Sequence, residues 1–87
     1  MIQVPSSPRY GQNFQGVSHG DGPCCVCGKG IQVGRTFLHL HYGGGTAILE
    51  SEFAEAERAS SGDLGLQPID ADCLARHPEL QPYVQRP

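Results

Sequence analysis

Cys24-Cys25-Val26-Cys27-Gly28-Lys29-Gly30 and its distant counterpart Cys73-Leu74-Ala75-Arg76-His77 decide how this chain is read. Two residues between Cys24 and Cys27 let a tight turn aim both sulfurs at one point. Gly28, directly after the second cysteine, permits the positive φ such a turn needs. In the second stretch a cysteine and a histidine stand four apart, so on a helix they lie one above the other on the same face. Thiolate sulfur and imidazole nitrogen are the donors of a tetrahedral structural zinc site. Cys24, Cys27, Cys73 and His77 are therefore the expected ligands of one structural Zn2+ ion. Cys24 and Cys27 would grip it from one side, Cys73 and His77 from the other.

Cysteine usage agrees with metal rather than disulfides. Three of the four cysteines fall within four residues, so a second bridge would be nearly vicinal. The first residues lack a charged segment followed by an apolar run, and no stretch approaches the length of a membrane span. A reducing intracellular setting, cytoplasmic and without a membrane, is expected. A thioredoxin-type redox pair would need a βαβ context, and no such pattern surrounds the cysteines.

Composition points the same way. At 87 residues the chain is at most one small domain. Glycine (12) and proline (7) exceed a fifth of it, and there is no tryptophan, so a limited core would be supplemented by a metal. The formal net charge is −3, and three thiolates around a dication would add one further negative charge. The six basic residues (Arg9, Lys29, Arg35, Arg58, Arg76, Arg86) are scattered, which argues against a general nucleic-acid binder and leaves only a local patch around Lys29 and Arg35.

Outward from the cysteine turn, residues 1–22 are rich in Pro, Ser, Gln and Gly and read as a flexible segment, with Tyr10 or Phe14 able to dock. The domain is expected over residues 23–82, and residues 83–87 as a flexible tail. Ile31 to His41 reads as a strand, with Gly34 a bend or bulge. Gly43-Gly44-Gly45 turns the chain and Thr46 to Leu49 returns, giving a β-hairpin. Ser51 is placed to cap a helix over 52–59 with Phe53 and Ala56 inward. Leu64-Gly65-Leu66-Gln67-Pro68-Ile69 reads as an extended connection whose apolar side chains plug the core. Asp70 caps the last helix, which Pro78 ends or kinks at His77.

The order of knuckle, hairpin and ligand-bearing helix resembles the treble-clef group of zinc fingers. The resemblance covers roughly Pro23 to Leu80 and implies a small α+β treble-clef-like zinc-binding domain, with Cys24, Cys27, Cys73 and His77 as ligands. The short helix inserted after the hairpin and the three-residue spacing between Cys73 and His77 depart from that pattern. His39 and His41, which share a strand face with Phe37, compete with His77 for the fourth position, and Cys25 reads as a bystander. Otherwise both hairpin histidines belong to a partly exposed strand face.

Three functions of different class follow. A structural zinc module that binds a protein partner, as a monomer and not an enzyme, is the first. A nucleic-acid-binding finger is the second, and the charge balance opposes it. A ββα-metal-type nuclease, with His39 or His41 as base, is the third, and the only asparagine, Asn13, lies far from that hairpin in sequence. Glu50, Glu52, Glu55 and Glu57 form an acidic cluster that is either a solvated face or a docking surface for a basic partner.

Overall fold

The computed structural model describes residues 1–15, 22–31 and 36–86. The expected bend at Gly34, and His19 and Arg35, lie outside them. The structure is a small α+β arrangement built around one central strand. That strand, β4 (Phe37–His41), pairs with β5 (Thr46–Ile48) in an antiparallel hairpin, His39 opposite Ile48 and Leu40 opposite Ala47. Gly43 and Gly44 take positive φ (74° and 94°), which glycine permits, and Tyr42 before them also takes φ 57°.

Three short strands complete the sheet. β1 (Ile2–Gln3) extends it beyond β5, with Ile2 opposite Ala47. β6 (Gly65–Pro68) pairs with the other side of β4, and β7 (Val84–Gln85) pairs with the start of β4, Leu38 opposite Val84. Thus both ends of the chain, which composition reads as flexible, carry paired residues. A separate two-stranded ribbon of β2 (Gly22–Pro23) and β3 (Gly30–Ile31) brackets the cysteine turn.

Each face of β4 is covered, because alternate side chains point to opposite faces. Leu38 and Leu40 enter the main core with Cys24, Val26, Ala47, Ile69, Cys73, Leu74 and Leu80. His39 and His41 point to the other face, where α2 (Phe53–Ala59) lies, with Phe53 edge-on to both imidazoles at 5.4 and 6.3 Å. Ala56 of that helix is fully buried, as its inward position predicts.

Two expectations about this region are corrected. Ser51 does not cap α2. It sits inside a 3-10 turn (Glu50–Glu52), whose start is held by the Glu52 carboxylate accepting the Leu49 N–H at 2.9 Å. Leu64 and Leu66 do not plug the core: both are about half exposed, at 48% and 49%. The segment is an edge strand and not a connection, so its side chains alternate. Leu66 stands opposite His39 and lies exposed at the margin of that face, while Pro68 and Ile69 are buried.

The last helix forms as its sequence dictates. In α3 (Ala71–Arg76) the Asp70 side chain accepts the Asp72 N–H at 3.2 Å. His77, at φ −126° and ψ 70°, has left the helix, as a residue before proline tends to. Pro78 then opens a 3-10 segment (Pro78–Tyr83) that buries Leu80 completely.

Candidate metal centre

The cysteine turn is assembled by backbone hydrogen bonds. The Gly28 N–H donates to the Cys24 carbonyl at 2.8 Å, and the Cys24 N–H donates to the Lys29 carbonyl at 2.8 Å. Gly28 takes φ +76° as expected, and a Cβ there would meet the Tyr10 carbonyl oxygen at 2.5 Å. Tyr10 thus rests against the turn, from the first residue of α1 (Tyr10–Gln15). The Asn13 side-chain amide of the same helix donates to the Cys27 carbonyl at 2.9 Å. Phe14 stacks on Tyr10 at 5.9 Å but is itself 42% exposed.

Across the core, α3 brings Cys73 to this turn. The sulfurs of Cys24, Cys27 and Cys73 lie within 4.8 Å of one another. Cys24 and Cys73 are buried, and no disulfide joins any of the cysteines. The Asp70 N–H donates to the Cys24 sulfur at 3.2 Å, a contact that favours thiolate. Burial raises the Cys73 thiol well above its ordinary value, and the adjoining Cys27 and Cys24 sulfurs raise it further. Three thiolates packed this closely repel one another, whereas a bound cation deprotonates coordinating thiols outright and turns the repulsion into attraction. The donor set therefore fits a soft or borderline metal ion.

The remaining predicted residues fall elsewhere. His77 stands at the C-terminal end of α3 with its Nδ1 3.5 Å from a Glu79 oxygen, and its ring is not part of the group of mutually close donor atoms. His39 and His41 project from the sheet face opposite the one that Leu38 and Leu40 present to the cysteines. Cys25 is not part of the close sulfur group and lines an apolar cleft of about 350 Å³ with Leu40, Leu64 and Tyr10. Burial pushes its thiol up to about 12, which makes it a poor nucleophile.

A second group of donor atoms, His41, Glu57 and Asp63, also lies within 4.8 Å. Sequence reading missed it by leaving the hairpin histidines on a partly exposed face, and His41 is in fact fully buried. Its chemistry does not suit a cation. The Tyr42 N–H donates to His41 Nδ1 at 2.8 Å, so the ring proton sits on Nε2 and donates to Glu57 at 2.8 Å. An ion on Nε2 would require the proton at Nδ1, facing another N–H. His39 is similarly engaged, 2.6 Å from Asp63. The two histidines pin α2 and the chain before β6 onto the sheet.

Compared with protein-family models, with curated proteins and with solved structures, the chain shows no match. Among the described residues, no helix is long and apolar enough to cross a membrane.

Proposed function

We propose that the chain is a treble-clef-like zinc module that works by binding a protein partner. Zinc is the ion that best suits three cysteine thiolates in a small site of this kind. The observation that carries the reading is the convergence of Cys24, Cys27 and Cys73, from two distant stretches, to within 4.8 Å. The ion would hold the cysteine turn to α3 and so close the main core, which a chain of this size supplements in this way. Its role there is scaffold.

The partner surface proposed is the outer side of β6 around Leu64 and Leu66; at Pro68 the same edge is already occupied, its carbonyl accepting the Cys25 N–H. Leu64 and Leu66 are exposed there, and Tyr42 and Leu49 are exposed elsewhere on the same molecule. An edge strand bearing exposed leucines is a template for a pairing segment of another protein. The test is capture by immobilised, zinc-loaded protein, comparing wild type with Leu66→Glu. A specific partner retained by the wild type and lost by the variant is expected. Equal capture of a specific partner by both removes the β6 surface, and no specific capture removes the binding-module reading.

A further inference from the structure

The cysteine centre borders a polar cleft that carries both basic and acidic side chains. Cys27 and Cys73 line a polar cleft of about 260 Å³, whereas Cys24, the most deeply placed of the three, does not. Three basic side chains from three separate parts of the chain converge on that cleft: Arg9 ahead of α1, Lys29 after the cysteine turn, and Arg76 at the end of α3. None of them forms an ion pair with another described residue. Asp70 and Asp72 stand in the same wall, and one Asp70 oxygen is taken by the Asp72 N–H.

We propose that a small oxyanion of the phosphate class enters this cleft and supplies the exchangeable fourth ligand of the metal, in place of an imidazole from His77. The proposal rests on the metal reading of the three cysteines. A dication with three thiolates carries one net negative charge, and Asp70 and Asp72 add two more. Arg9, Lys29 and Arg76 cancel these, so an incoming anion meets no net repulsion and finds guanidinium donors suited to paired oxygens. A site with three protein ligands keeps a position for an exogenous one. His77, held toward Glu79, is not required for it.

The experiment is cobalt(II) substitution of the full chain, read by d–d absorption, which reports the donor set directly. Inorganic phosphate is then titrated into wild type, Arg76→Gln and His77→Ala, with an NMR fingerprint confirming that each variant is folded. Saturable band shifts in wild type and His77→Ala, with about tenfold weaker phosphate binding in Arg76→Gln, are expected. Bands that phosphate does not move, or that His77→Ala alters before any phosphate is added, overturn the proposal while leaving the metal site intact. A wild-type chain that takes up no cobalt overturns the metal reading itself.

Discussion

Replacing Cys24 by serine separates the metal account from ordinary packing, provided Cys25→Ser is measured beside it. The two cysteines are neighbours in sequence, yet only Cys24 belongs to the sulfur group. The Cys25 N–H donates to the Pro68 carbonyl at 3.0 Å, a bond that serine preserves, and its side chain packs against the core outside the sulfur group. Apparent zinc binding in small fingers is worth about 10–16 kcal/mol shared among four ligands. One ligand therefore accounts for about 2.5–4 kcal/mol, or about 10²–10³ in affinity. Competition against a chromophoric chelator should show that loss for Cys24→Ser and a change within about threefold for Cys25→Ser. Thermal unfolding supplies the second readout: chelator should lower the melting temperature of wild type and Cys25→Ser by similar amounts and that of Cys24→Ser by less. Equal zinc affinity in both variants would refute the reasoning, because it would place the ion away from Cys24.

Other substitutions probe the scaffold. Leu80→Ala, at a fully buried position, should cost about 2–5 kcal/mol in denaturant unfolding, against about 1 kcal/mol or less for half-exposed Leu66→Ala; similar costs would contradict the assignment of faces. Gly28→Ala combines a positive φ with a 2.5 Å clash against the Tyr10 carbonyl and should lose about 1–3 kcal/mol, together with faster loss of metal under chelator challenge. The His39 hydrogen bond, followed by the Gly65 N–H, holds the Asp63 carboxyl below its usual range. The stability it contributes is therefore present above the ordinary carboxylate range and is lost as pH falls through the lowered folded value. A carboxyl NMR titration should find Asp63 low in wild type and raised in His39→Leu, where the Gly65 N–H alone remains; an ordinary value in wild type would contradict the contact.

Much of the architecture is written locally. The glycine after Cys27, the triple glycine of the hairpin, Asp70 as a cap and Pro78 as a stop each act within a few residues, and each appears where its chemistry requires. The approach of the Cys24 and Cys27 sulfurs was legible for the same reason, since their spacing carries its own geometry. What was not legible depends on distant partners. Ile2–Gln3 and Val84–Gln85 form strands only because β5 and β4 offer them free edges, and two residues show no periodicity. The alternation of Leu64, Leu66 and Ile69 looked like an apolar run because nothing local says that Gly65–Pro68 is an edge. The burial of His41 is not written locally, because only the folded chain lays α2 over its face, where Glu57 and the Tyr42 N–H satisfy the ring.

The most direct measurement is the metal content of protein purified without chelator, followed by an NMR fingerprint before and after chelation. The account predicts about one zinc ion per chain, and dispersed signals that collapse when the ion is removed. A metal-free protein whose dispersed spectrum chelator leaves unchanged would contradict it, and Cys24, Cys27 and Cys73 would then be ordinary core thiols.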